Sequence, residues 1–136
     1  RIMYAGFSRG GDMSFQMGYS HLYHKFQRVL AGIGAISSFL PYSSQVYKDL
    51  RVSKCGLETP LLLQQHGEND HLVTLSMAEK TFQILRNEGV QGKFVIIPNS
   101  GHMINKNEVE LLYEFVNKVI PRNLNLKLEE IVNNCQ

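Results

Sequence analysis

A chain of 136 residues is enough for one domain of ordinary size, and its make-up of 43% hydrophobic and 19% charged residues sets aside a disordered chain. A net charge of +2 without any Lys/Arg cluster gives no electrostatic basis for nucleic-acid binding, so no nucleic-acid partner is expected. No apolar run approaches the roughly 20 residues that span a bilayer, so no transmembrane segment is expected.

Ile2 to Phe7 reads as a buried strand, short, apolar and bounded by glycine. It runs into Gly6-Phe7-Ser8-Arg9-Gly10, a G-x-S-x-G, and then into a stretch from Arg9 to about His21 that can be helical. Ser8 then sits at the apex of a strand–turn–helix. Gly6 and Gly10 are expected to be required there, because a side chain would collide in so tight a turn. Asp12 suits the positive end of the helix dipole, and Met13, Met17 and Gly18 are expected to face the sheet. Gly32 to Ser37, led in by Leu30, is a second continuous apolar strand, left through Phe39-Leu40-Pro41. Tyr42 to Leu57 reads as irregular or partly helical.

Leu61 to Gln65 follows Pro60 as a third strand and leaves through the turn-rich His66-Gly67-Glu68-Asn69-Asp70. Thr74 to Asn87 carries Leu75, Ala78, Phe82 and Leu85 near helical period, with Gly89 as its stop. Phe94 to Ile97 is the fourth strand, ended by Pro98. Asn107 to Ile120 places Leu112, Phe115, Val116 and Val119 on one helical face, and Pro121 stops it. Residues 122–136 are expected to be a tail or a short helix. Continuous apolar strands alternating with helices predict an α/β fold, a mostly parallel sheet flanked by helices. Chemistry in such sheets collects at the carboxyl ends of the strands.

Three residues fall at those ends: Ser8 after the first strand, Asp70 after the third, His102 after the fourth. A serine hydroxyl is a weak nucleophile until a base takes its proton. His102 can be that base, and Asp70 can hold its ring in the right tautomer. The order Ser, Asp, His is that of the α/β-hydrolases. Glu68 competes with Asp70 for the acid role. Taken singly, Asp70 reads as a loop-capping aspartate and His102 as a surface histidine. The first-turn N–H groups behind Ser8, that of Arg9 foremost, would favour an oxyanion. His21 and His24 share i, i+3 spacing without a completing carboxylate or thiolate, so no metal is expected. His66 and His71 read as structural or pocket-lining. Cys55 and Cys135 read as free thiols of a reducing compartment, which with no secretory leader in view predicts a cytoplasmic protein.

The motifs taken together resemble the acyl-protein thioesterase / lysophospholipase family of α/β-hydrolases, in particular its lysophospholipase-like branch. They are Gly6-Phe7-Ser8-x-Gly10-Gly11, Ala35-Ile36-Ser37-Ser38-Phe39-Leu40, His66-Gly67-x-x-Asp70-x-x-Val73 and Gly101-His102. The resemblance covers roughly residues 1–121. It implies a serine hydrolase of carboxylic esters or thioesters that needs no cofactor, with acylated proteins or small ester and lysolipid substrates. It carries Ser8, Asp70 and His102 over as the catalytic triad and the Arg9 backbone N–H as oxyanion donor. Arg9 stands where the family usually has glutamine, Asp12 where it has a small residue, and His71 where proline is common. The resemblance also implies that residues 1–121 are the C-terminal half of the domain, with the N-terminal strands missing. The chain alone is then expected to be impaired, with an exposed sheet edge open to homo-association. The competing reading is a non-catalytic interaction module or truncated isoform that binds a partner.

Overall fold

The computed structural model describes residues 2–20, 30–52 and 59–120. The expectations for the 122–136 tail, for His21, His24, Cys55 and Cys135, and for residues 53–57 lie outside the described residues. The element order is β1 (Ile2–Phe7), α1 (Arg9–Tyr19), β2 (Leu30–Ile36), α2 (Gln45–Val52), β3 (Leu61–Gly67), α3 (Leu75–Asn87), β4 (Gly92–Ile97) and α4 (Lys106–Val119). The four strands form one parallel sheet in the order β1-β2-β3-β4. Parallel neighbours must be joined by crossovers, and helices supply them.

Register sorts the side chains between two faces. Phe7 pairs with Ile36 and Ile36 with Gln65, so those three share a face. That face meets α4: a Cβ on Gly32 would touch Phe115 and Val119, and one on Gly34 would touch Leu112. These are the residues whose periodicity predicted the apolar side of that helix. The opposite face carries the main core, with Phe15 and Tyr19 of α1, Ile33 and Ala35 of β2, Val46 and Leu50 of α2, Leu62 of β3 and Leu85 of α3. Burying each large side chain stabilises the fold by roughly 1.5–3 kcal/mol. Gly18 lies against Ile33, as expected. Met13 does not face the sheet; it is 54% exposed, because the α1 turn after the elbow aims it along the carboxyl edge instead.

Two elements refine the sequence reading. The segment expected to be irregular or partly helical holds a helix, α2, whose Val46, Tyr47 and Leu50 are buried. Its apolar positions are too few for periodicity alone to reveal, and tertiary burial stabilises it. Strand β3 continues through His66 and Gly67, which the sequence placed in the following loop, because both pair with β4 at Ile96 and Ile97. Its polar run Gln64-Gln65-His66 is fully or almost fully buried. The Gln64 amide donates to Ser38 O and Ala78 O, and the Gln65 amide donates to Glu108 O. Polar residues in a doubly covered strand thus tie the surrounding loops and helices to the sheet.

The elbow corrects one steric expectation. A Cβ on Gly6 would lie 2.2 Å from the Gly10 carbonyl carbon and oxygen, so glycine is required there. A Cβ on Gly10 would meet nothing within 4 Å. The second tight position is Gly11, where a Cβ would lie 2.5 Å from Ser38 Oγ. Gly6→Ala is therefore expected to destabilise the fold by about 3 kcal/mol or more, since backbone must move. Gly10→Ala is expected to be neutral or stabilising by up to about 1 kcal/mol, through helix propensity. Denaturant unfolding of the two variants beside the parent checks the contrast.

Candidate active site

Ser8 adopts φ 53 and ψ −119 as the N-cap of α1. Left-handed backbone is costly for a residue with a side chain, and it persists where the surroundings over-determine it. Here Ser8 N–H donates to Ile36 O at 2.8 Å, and Ser8 O accepts from Gly11 N at 3.0 Å and Asp12 N at 3.2 Å. The Ser38 hydroxyl also donates to Ser8 O. A serine at an N-cap ordinarily spends its hydroxyl on a first-turn N–H. Ser8 makes no such bond. Its Oγ lies 3.0 Å from His102 Nε2 instead.

His102 follows β4 on a loop fastened to the loop after β3. Glu68 N donates to Ile97 O at 2.9 Å and Asn69 N to Ser100 O at 2.8 Å. This approach requires Gly67, whose Cβ would come within 2.5 Å of Ser100 O. Behind the loop, α4 begins with a capping box in which Asn105 and Glu108 satisfy each other's backbone N–H groups. The His102 ring packs against Phe7, with centroids 4.8 Å apart. Its Nδ1 lies 2.7 Å from Asp70 Oδ2, and its side chain remains 15% exposed. A carboxylate only accepts, so Nδ1 carries the ring proton, and Nε2 is left with a lone pair toward Ser8.

Asp70 is the innermost member, its side chain 0% exposed. Oδ1 accepts from Leu72 N and Val73 N, both at 3.0 Å. Burial pushes its carboxyl pKa up, but the hydrogen bonds from His102, Val73 and Leu72 outweigh burial and hold it below the ordinary value. The loop-capping role and the contact with His102 coexist, one on each carboxylate oxygen. Glu68, the competing acid, is exposed and turned away, its Oε2 accepting from Asn99 N at 3.1 Å.

Two buried ionisable groups support the site: His66, which the sequence reading took only as structural or pocket-lining, and Glu108, which it did not single out. His66 is fully buried, with Nε2 2.8 Å from Val73 O. Glu108 is fully buried on α4; burial first, then the Asp70 charge, raises its carboxyl pKa, against the opposing bond from Asn105. The polar run in β3 and the Asn105-x-x-Glu108 spacing were the available signals. A raised folded-state pKa on an acid means stability that is complete below the unfolded value, near 4.5, and lost as pH rises through the folded value. Glu108→Gln keeps an acceptor for Asn105 N–H and removes the ionisation. Its melting temperature is expected to exceed the parent's at pH 7 and to converge with it below about pH 4, read by thermal unfolding across pH.

Beside Ser8 lies an open cleft of about 740 Å³ lined by Arg9, Asp12, Met13, Phe39, Pro41 and Val73 among others. The Arg9 N–H belongs to the first turn of α1, where the helix offers no carbonyl partner. His71, on the loop after β3, is exposed and does not line the cleft. Among the described residues, no group of three or more His, Cys, Asp and Glu side chains is arranged to hold a metal ion. No described helix is long and apolar enough to cross a membrane.

Similarity to known proteins agrees with the parallel α/β fold. The phospholipase/carboxylesterase family profile matches residues 1–120. The chain is 36% identical over 121 residues to lysophospholipase-like protein 1 of Mus musculus, covering 89% of this chain and 48% of that protein. It is 30% identical over 122 residues to acyl-protein thioesterase 1 homolog 1 of Dictyostelium discoideum, covering 90% of this chain and 50% of that one. Among solved structures, Arabidopsis thaliana SOBER1 superposes with a TM-score of 0.71 at 20% identity, over 86% of this chain and 52% of that one. The Bacillus cereus carboxylesterase does so with a TM-score of 0.63 at 18% identity, over 88% and 50%. The chain spans about half the length of these relatives. A parallel sheet bearing a serine elbow, together with a profile match along nearly all of its length, makes this chain a member of the phospholipase/carboxylesterase family of α/β-hydrolases.

Proposed function

We propose that Ser8, His102 and Asp70 form the catalytic triad of a hydrolase of carboxylic esters or thioesters. The observation that carries the reading is the Ser8 hydroxyl, withheld from its capping role and set 3.0 Å from a histidine that is itself 2.7 Å from a buried carboxylate. His102 Nε2 takes the Ser8 proton as Oγ bonds to the acyl carbon, and the Arg9 N–H stabilises the oxyanion. Collapse expels the alcohol or thiol, which receives the proton from His102. Water then enters, gives a proton to His102 and bonds to the acyl carbon. Oγ leaves with that proton, releasing the carboxylic acid. Asp70 stabilises the imidazolium in both halves without itself becoming protonated.

The proposed substrate class is the one in the relatives' names, acyl groups on proteins or lysophospholipids, and the proposed place of action is the cytoplasm. The activity is that of the whole protein in which these residues stand. One oxyanion donor is identified in the described half, and a missing second donor typically costs 10²–10³ in rate. The 136-residue chain is thus expected to act slowly by itself. Among the described residues β1 has no neighbour on its outer side, and that edge, where Ile2 is 50% exposed, is the route by which it would self-associate.

The test is fluorophosphonate labelling of this chain beside a form extended upstream to the length of its relatives. Labelling of both, faster in the extended form, is the expected result. Labelling of neither would overturn the reading in favour of a non-catalytic interaction module. Hydrolysis of a thioester and an oxygen ester of the same acid by the extended form then sets the preference between them.

A further inference from the structure

We propose that His66 is a positioning residue for the Asp70 carboxylate. The inference rests on the reading of Ser8, His102 and Asp70 as catalytic. His66 is the next-to-last residue of β3 and fully buried. Its Nε2 lies 2.8 Å from Val73 O, a carbonyl that can only accept, so the ring proton is on Nε2. Its Nδ1 is buried without a hydrogen-bond partner among the described residues. A carbonyl fixes the tautomer at one nitrogen, and the structure tolerates an unmet acceptor at the other.

What the bond does follows from the short loop it closes. Asp70 N donates to Gly67 O at 3.2 Å, and Val73 N donates to Asp70 Oδ1 at 3.0 Å. The His66 bond to Val73 O therefore pins to the rigid sheet the very peptide segment that orients the carboxylate. The same Nε2 lies 3.5 Å from Asp70 Oδ2, the oxygen that His102 Nδ1 approaches at 2.7 Å. At 3.5 Å this is beyond hydrogen-bond length. It still places the positive Nε2–H edge of the ring beside the oxygen that holds His102. Asp70 Oδ2 is flanked by two imidazoles in opposite tautomers, one presenting Nδ1–H and the other Nε2–H. His66 acts through Asp70 and touches no reacting atom.

The test uses the full 136-residue chain, labelled with 15N at its five histidines, so that long-range ring correlations report each tautomer. His102→Gln and His66→Gln assign the two signals. The expected pattern is Nε2–H for His66 and Nδ1–H for His102; a His66 ring protonated on Nδ1 overturns the proposal without any variant. His66→Leu removes the donor, and His66→Gln places an amide N–H near the position of Nε2. In His66→Leu, His102 is expected to lose its uniform Nδ1–H tautomer. Fluorophosphonate labelling is expected to slow tenfold to about 10²-fold, the cost of a small misplacement. His66→Gln is expected to recover most of both. A normal His102 tautomer in His66→Leu overturns the proposal, even where melting temperature falls, because that is what a purely structural histidine would give. If neither the parent nor the form extended upstream takes the label, the catalytic reading fails on its own account, and the tautomer of His102 in parent against variant still decides the role of His66.

Discussion

Ser8→Ala is expected to abolish covalent labelling by a fluorophosphonate and to lower ester hydrolysis by roughly 10⁴- to 10⁶-fold, the loss seen when a triad nucleophile is removed. The effect should be confined to chemistry. Ser8 Oγ caps no N–H of α1, and the bonds that hold the elbow are made by its backbone N–H and C=O. Those bonds persist in alanine. The strained φ of 53 is as costly for alanine as for serine, so unfolding midpoints should be nearly equal. Labelling that survives Ser8→Ala would show that another nucleophile is present and would remove Ser8 from the site. Mass spectrometry of the labelled peptide containing residues 2–19 distinguishes the two results directly.

Asp70→Asn carries the second largest effect, a fall of about 10⁴-fold in labelling or turnover. The amide is nearly isosteric, so the loop keeps its shape, and a side-chain oxygen can still accept from Leu72 N and Val73 N. The remaining amide nitrogen then faces His102 Nδ1 across the 2.7 Å contact. A donor cannot face a donor, so the imidazole puts its proton on Nε2, pointing at the hydroxyl it must deprotonate. The stability signature is separable. Asp70 has a folded-state pKa lowered from its ordinary 3.8. It therefore contributes stability that is present above that value and lost as pH falls through the folded value. Asp70→Asn should be less stable than the parent at pH 7, with the difference closing in acid. A variant that retains turnover within tenfold would mean that Asp70 does not set the tautomer. Glu68, exposed and bonded to Asn99 N, would remain a poor replacement.

The proposed nucleophile, base and acid were all legible before the fold was known, and for different reasons. Ser8 announced itself through local sterics, since a strand running into G-x-S-x-G has few other conformations. His102 and Asp70 became legible only through topology: a parallel sheet gathers the carboxyl ends of its strands, so residues 8, 70 and 102 meet although far apart in sequence. The glycine argument was half right. The collision expected at Gly10 is absent, and the close approach falls on Gly11, because a helix's first turn rotates successive residues by about 100° and small register differences decide which one faces Ser38. Glu108 and Gln65 were not legible as supports, and His66 was legible only as structural or pocket-lining, because their hydrogen-bond partners are set by the tertiary fold.

The sequence by itself determined the alternation of strand and helix, the parallel sheet it implies, and the residue types at the strand ends. These follow from hydrophobic period and backbone sterics, which act over a few residues at a time. The tertiary structure alone decided that the competing Glu68 is turned away, why the Ser8 hydroxyl is free of its cap, and which buried polar groups hold the acid in place. Those outcomes depend on hydrogen bonds closed between β3, the loop after β4 and the start of α4, and such bonds are fixed by distances of about 3 Å that no local pattern encodes.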